Sequence, residues 1–413
     1  MQPYLTNESS PIKKRRLWVI SEPYYPEETS TGYYLTRIAE GLAGDFDVKV
    51  ICGQPTYSAR GTIAPKHEVH KGVEIFRASG TTLDKNVIPL RLVNMITLGI
   101  SVLINALRRF RPGDHILVVT TPPSMPFVAA IGALSKGASY TLLIHDNYPE
   151  ILVATKKSRP GSLVVKSMSF FNRWLYKHAS KIIVVGRDMR ELLTRKTEGL
   201  DIPIVCIPNW AELESVEPAS KDDNRMLGEL GLRDKFVFLY AGNMGHPNDL
   251  ESIVDAAGAL RDREDVHFMF LGVGVKLKWL QERVSTLGLK NVSILDPRPR
   301  TEQNDFLNAC DVGIVSLVEN MIGVSMPSRT YNILAAGKPI LAVTEGGSEL
   351  AQVVVEEDVG WIVKPGSAED LTNTILTILA RPAELRAMGE RARAAAVNRY
   401  SLGAALEKYK GEL

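Results

Sequence analysis

Along this chain, uninterrupted runs of Val, Ile, Leu and Phe alternate with longer stretches whose apolar residues recur every three or four positions. The short runs read as strands buried on both faces and the longer stretches as helices with one apolar side. In the first half the strand signals are Leu17–Ile20, Asp47–Cys52, Val73–Ala78, His115–Thr120, Tyr140–Ile144 and Lys181–Val185. Helix signals are a stretch of about three turns up to Gly44, then Leu90–Phe110, Met125–Ser135 and Gly161–His178. Beyond Ile204–Ile207 and a polar segment, 212–234, the alternation restarts. Phe236–Ala241, Val266–Leu271, Val292–Leu295, Val312–Val315, a run after Pro339 and Gly360–Val363 are the strands. Leu250–Leu260, Lys276–Leu287, a helix capped by Thr301, one opening at Ser328, one reaching Val355 and others from Ala368 to Tyr409 are the helices. Strands and helices in alternation give parallel sheets covered on both sides, so the class is α/β, with the pattern occurring twice.

A length of 413 residues agrees with two cores rather than one. The expected division is a disordered basic tail, 1–16, a first domain, 17–200, and a second, 201–397, with the last helix returning to the first. A content of 45% hydrophobic and 23% charged residues is that of a soluble globular protein. Cys52, Cys206 and Cys310 are odd in number and lie in apolar runs, which points to reduced core thiols in a cytoplasmic protein. The apolar run after Arg16 is too short for a secretion signal.

Net charge is only +2, but its distribution is uneven. Residues 1–200 carry 27 Lys+Arg against 16 Asp+Glu, and residues 201–413 carry 22 against 31, so the halves stand at +11 and −9. A cationic first half suggests an anionic partner. Basic stretches with interleaved aromatics are absent, which argues against nucleic acid and for a membrane surface or a lipid diphosphate on it. The stretch Val87–Leu107 is the longest apolar one, yet Pro89, Arg91, Asn94 and Asn105 interrupt it as a membrane span. It reads either as a buried core helix or as a membrane-contacting surface with Arg108, Arg109 and Arg111 at headgroup level.

The chemistry concentrates at strand ends. Ile314–Val343 reads strand, loop, helix start, strand, with Ser328 able to cap the helix and Arg329 beside the first-turn N–H groups, an outline that suits a diphosphate. His145 and Asp146 follow an apolar strand and so point out of the sheet at its ligand-binding edge. Gly242-Asn243-Met244-Gly245-His246 and Gly272-Val273-Gly274, then Lys276, are loops in the equivalent place. One histidine without a second ligand at suitable spacing makes no metal site, so no metal is expected.

Pro327-Ser328-Arg329, Tyr331 and Leu334-Ala335-Ala336-Gly337-Lys338-Pro339 before an apolar strand resemble the nucleotide-sugar site of glycosyltransferase family 4, most closely its bacterial exopolysaccharide, colanic acid and O-antigen branch. The resemblance spans residues 17–410 and implies a GT-B fold, two Rossmann-like doubly wound parallel-sheet domains. It implies transfer of a sugar from a nucleoside diphosphate sugar, expected to be UDP-linked, to a lipid-linked or saccharide acceptor, with retention at the anomeric carbon. His145 then lies against the donor sugar, Asp146 is an acceptor-side carboxylate, and Thr31-Gly32 tips the loop that closes on donor phosphates. Lys276 and Arg329 take over the diphosphate charge that an Arg and a Lys in the Gly245 loop carry in many members. Arg298 either stacks on the base or is solvated. Two glutamates of the family pattern are replaced by Val324 and Asn332; Asn332 keeps the capacity to bond the donor ribose, and Val324 does not. The same fold also serves sugar-nucleotide 2-epimerases and non-catalytic sugar-nucleotide-binding subunits.

Overall fold

A computed structural model describes residues 14–55, 63–83 and 87–413. In chain order the first sheet and its helices are β1 (Arg16–Ile20), α1 (Ser30–Leu42), β2 (Asp47–Cys52), β3 (His67–His70), β4 (Val73–Arg77), α2 (Ile88–Arg109), β5 (His115–Val119), α3 (Met125–Ser135), β6 (Ser139–Ile144), α4 (Glu150–Ala154), α5 (Leu163–His178), β7 (Lys181–Val184), α6 (Arg187–Lys196) and β8 (Ile204–Cys206). The second comprises α7 (Arg225–Leu230), β9 (Phe236–Ala241), α8 (Glu251–Ala259), β10 (Val266–Leu271), α9 (Leu277–Leu287), β11 (Val292–Leu295), α10 (Gln303–Asn308), β12 (Val312–Ser316), α11 (Arg329–Ala335), β13 (Ile340–Val343), α12 (Glu349–Glu356), β14 (Gly360–Val363), α13 (Ala368–Leu379), α14 (Pro382–Asn398) and α15 (Leu402–Glu412).

The strands form an eight-stranded sheet, β3-β4-β2-β1-β5-β6-β7-β8, and a six-stranded sheet, β11-β10-β9-β12-β13-β14. Every pairing described in the six-stranded sheet is parallel. Its strand order reverses between β9 and β12, and such a reversal opens a crevice at the carboxyl ends of the two strands. By packing, the chain divides into two compact units, one reaching Thr141 together with Leu413 and the other Leu142–Glu412. In the second unit, Phe238, Tyr240, Phe268 and Phe270 meet Leu280, Ile253, Leu371 and Ile375 in the main core. Each such side chain contributes about 1.5–3 kcal/mol through burial.

Local chemistry sets the ends of many helices. Asn224 accepts from the N–H of Leu227 at 3.0 Å to open α7, and Gly231, left-handed at φ 67°, ends it. Ser348 does the same for α12 through the N–H of Ala351 at 3.1 Å. Asp249, just before α8, accepts from the N–H and the hydroxyl of Ser252 at 3.0 and 2.7 Å.

Four expectations change. Residues 1–13 of the expected tail lie outside the described residues, but Arg16 begins β1 and pairs with Asp114 at 3.4 Å, and Lys14 donates to the carbonyl of Ala43 at 3.0 Å. Thr301 caps nothing, since it lies within a short 3₁₀ turn, Arg300–Glu302, ahead of α10. Thr31 and Gly32 are not a loop tip but part of the first turn of α1, where the carbonyl of Gly32 accepts from the Thr36 hydroxyl at 2.8 Å. Finally, α2 is not a core helix: its 18-residue apolar window is only 22% buried, with Leu98, Val102 and Ala106 inside and Leu92, Ile96, Ile100 and Ile104 exposed. By length and composition alone, Pro89–Arg109 could cross a membrane.

Candidate active site

The site is built within Leu142–Glu412, from loops that leave β6, β9, β10 and β12. The β9 loop comes first. Gly242 has φ +144°, and a side chain there would stand 3.3 Å from the Arg329 guanidinium carbon, so its bareness lets that group lie against the loop. Arg329 stacks over the ring of Tyr240 at 4.6 Å and donates from Nη2 to the side-chain oxygen of Asn248 at 2.9 Å. Its Nη1 is buried and makes no hydrogen bond. Burial raises the Tyr240 phenol against the opposing pull of Arg329, so the platform beneath the cation stays neutral.

Asn248 is the hub of this network. Its amide donates to the carbonyl of Asn243 at 2.9 Å, to which the Tyr240 hydroxyl also donates at 2.7 Å, and its own carbonyl accepts from Lys276 at 2.8 Å. Lys276 therefore reaches the segment just past the Gly245 loop. Its ammonium is not free for a diphosphate, because Glu251 takes it at 2.8 and 2.9 Å. His246, on the same loop, has its proton affinity lowered by desolvation and by the nearby charges of Lys157 and Lys276.

At α11 the expected anion site is reduced. Ser328 adopts helical angles and makes no side-chain capping bond, and the N–H groups of Thr330 and Tyr331 are already bonded to the carbonyls of Pro327 and Ser328 at 3.2 and 3.3 Å. The helix has seven residues, too few for a sizeable dipole. The charge at this end thus rests on Arg329.

The end of β6 joins the same place. Asp146 forms an antiparallel bridge with Ser325, three residues before Ser328, and the Ser325 side chain hydrogen-bonds the carboxyl. Asn147 closes the join: its N–H donates to the carbonyl of Val324 at 2.8 Å and its amide to that of Gly323 at 2.6 Å. Gly323, at φ +74°, is bound on its other side by Asp188, whose Oδ2 accepts from its N–H at 2.8 Å. Burial lowers His145 to about 4, so the ring is neutral at physiological pH, and Nε2 is buried without a hydrogen-bond partner. Burial raises Asp146 to about 6, with the Ser325 bond acting against it. A neutral imidazole with an open nitrogen suits a hydroxyl, whereas a cation with an open nitrogen suits an anionic oxygen.

Arg329, Lys276 and the Gly245 loop are thus linked through Asn248, while Asp146, next to His145, is bridged to Ser325, three residues before Ser328. Two candidates fall away. Asn332 is buried, with its side-chain oxygen engaged by the N–H of Glu212 at 3.1 Å. Arg298 pairs with Glu302 at 3.4 Å and lines a groove of about 590 Å³ with Arg225 and Asp305. Gly32 belongs to the first unit. Asn248, Asn147 and Asp188 were missed by sequence reasoning; a polar residue just past an apolar strand was the available signal for Asn147. Among the described residues, no three His, Cys, Asp or Glu groups converge as ligands of a metal ion would.

Two family patterns match in tandem, "Glycosyl transferase 4-like domain" over residues 30–210 and "Glycosyl transferases group 1" over residues 224–395. The chain belongs to the group 1, or family 4, glycosyltransferases. This glycosyltransferase is 28% identical over 394 residues to WbjE of Pseudomonas aeruginosa, named as a glycosyltransferase, which covers 95% of this chain and 96% of that one. It is 26% identical over 373 residues to WcaI of Escherichia coli (strain K12), named for a glycosyl transferase role in colanic acid biosynthesis, with coverages of 87% and 91%. Anabaena HepE, solved in complex with UDP-glucose, superposes with a TM-score of 0.71 at 16% identity over 96% of this chain and 100% of that one. That likeness bears out the GT-B fold, with two Rossmann-like sheets.

Proposed function

We propose that this glycosyltransferase moves a sugar from a nucleoside diphosphate sugar, UDP-linked, to a lipid-linked or saccharide acceptor in cell-surface polysaccharide synthesis, with retention at the anomeric carbon and without a catalytic metal. The observation that carries the reading is the buried, unpartnered Nη1 of Arg329 at the β9/β12 reversal. As the glycosidic bond breaks, the leaving diphosphate gains negative charge, and a guanidinium fixed beforehand by Asn248 and Tyr240 meets it without reorganisation. Lys276, paired with Glu251, braces the Asn248 carbonyl rather than meeting the diphosphate. His145, neutral and open at Nε2, holds a donor hydroxyl. Asp146, at about 6, stays largely ionised at neutral pH and orients the acceptor hydroxyl. The name of WcaI supports the pathway class, and the HepE complex supports a UDP-sugar donor.

The cationic first half and the exposed apolar face of α2 support work at the inner face of the cell membrane, where a polyprenyl-diphosphate-linked acceptor is held. The test is nucleotide release from a panel of UDP- and GDP-sugars, with and without membrane extract, for the native protein and for Arg329→Ala. Acceptor-dependent release by the native protein, lost in the variant, is the expected result. Release at an equal rate by both proteins overturns the site, and release that needs no acceptor overturns the reaction.

A further inference from the structure

Within the second unit, α5 has three faces where a surface helix needs two. Asn172, Leu175 and Tyr176 are buried, and the amide of Asn172 donates to the carbonyl of Tyr148 at 2.8 Å, which fixes that side to the protein. Opposite them Leu163, Phe170 and Phe171 are 85%, 72% and 54% exposed, with Val164 and Trp174 beside them. At about 100° per residue these five side chains fall in one stripe about 120° wide, and Lys166, Arg173 and Lys177 line one edge of it. Phe170 and Phe171 pack edge to face at 5.6 Å, so the stripe includes an ordered aromatic ridge rather than scattered apolar positions.

Charge identifies what covers this face. Between Glu150 and Asp188 the chain has eight lysines and arginines and no acidic residue. Lys156, Lys157 and Arg159 stand exposed in the loop before α5, and Lys166, Arg173 and Lys177 are exposed along it. Aromatic and aliphatic side chains bordered by the cations of their own helix and of the loop before it match the boundary of an anionic bilayer, with rings at the level of the glycerol backbone and ammonium groups among the phosphates. We propose that α5 is a docking helix that seats this protein on an anionic lipid surface. In naming the surface that presents the acceptor, this inference rests on the proposed reaction; its measurement needs no donor and so stands apart from it.

The test is flotation of the full chain with vesicles of phosphatidylcholine alone and of equal parts phosphatidylcholine and phosphatidylglycerol, at low and high salt. The native protein is expected to float with the anionic vesicles only, and less so in high salt. Phe170→Ser with Phe171→Ser, and separately Lys166→Glu with Lys177→Glu, are expected to weaken that binding by about tenfold or more. Unchanged melting temperature and UDP affinity would show that these variants remain folded. Equal binding to both vesicle types, or no effect of the phenylalanine changes, overturns the proposal. So does a dimer in solution that the phenylalanine changes dissociate, since a second copy would then cover the face. Failure of sugar transfer with vesicle binding intact counts against the reaction and leaves the docking helix in place.

Discussion

Arg329 and Asn248, 81 positions apart in the chain, are joined by one hydrogen bond of 2.9 Å that leaves a single guanidinium nitrogen buried and open. Arg329→Ala should lower kcat by about 10²–10³, the usual loss when one donor to a developing anion is removed. Arg329→Lys should not restore it, because an ammonium cannot both stack on Tyr240 and donate in two directions. Asn248→Ala should cost about tenfold, less than additively with Arg329→Ala, since both act through one guanidinium. Steady-state kinetics of the native protein, the three single variants and the Arg329→Ala/Asn248→Ala double variant measure this, and strict additivity would separate the two residues.

Lys276 is held by Glu251, a half-exposed carboxylate. Glu251→Gln should free the ammonium and tighten UDP binding by about two- to fivefold, the range of an exposed ion pair. Calorimetric titration with UDP reads it directly. Weaker binding in this variant would mean that Glu251 positions the lysine rather than competing for it.

His145 and Asp146 act on stability in opposite directions as pH changes. The proton affinity of folded His145, at about 4, lies below its ordinary value of 6.5, so its contribution is complete above pH 6.5 and is lost as pH falls towards 4. Asp146 is raised from 3.8 to about 6, so its ionised form costs stability at neutral pH, and that cost disappears as pH falls through 6 towards 3.8. The melting temperature of His145→Asn minus that of the native protein should therefore rise on acidification from pH 7 to 4.5. For Asp146→Asn the same difference should be most positive at pH 7 and shrink on acidification. Parallel melting curves across this range would contradict the burial assigned to these groups.

Asp188 accepts backbone N–H bonds from Gly323, Glu349 and Met189, and burial still raises its proton affinity. Asp188→Ala would leave these donors without a partner and should cost about 3 kcal/mol or more. At Gly323, φ is +74° and a side chain would stand 2.9 Å from the carbonyl oxygen of Asp188, so Gly323→Ala should cost about 1–3 kcal/mol. Urea unfolding measures both, and a loss of activity without loss of stability would move Asp188 from support to chemistry.

The strands were legible because Val, Ile and Leu are packed on both faces of a parallel sheet, which leaves no alternation to misread; Asp47–Cys52, Phe236–Ala241 and Val266–Leu271 fall where expected. The strand His67–His70 was not: it lies at a sheet edge, antiparallel to β4, and its exposed polar residues carry no apolar signal. At the site, His145 was legible as a polar residue just past a buried strand, and Arg329 as a cation at a helix start. The fates of Ser328, Asn332 and Lys276 were not, because each depends on a partner or backbone angle set by distant residues. Asn332 meets Glu212 across 120 positions and Lys276 meets Glu251 across 25, and no local pattern encodes either pair.

The bond from Asn147 to Gly323 spans 176 positions. Hybrid enzymes that take one half from this chain and the other from a relative will inherit only one end of that clasp. The clasp will be kept only when the segments around Asn147 and Gly323 are exchanged together.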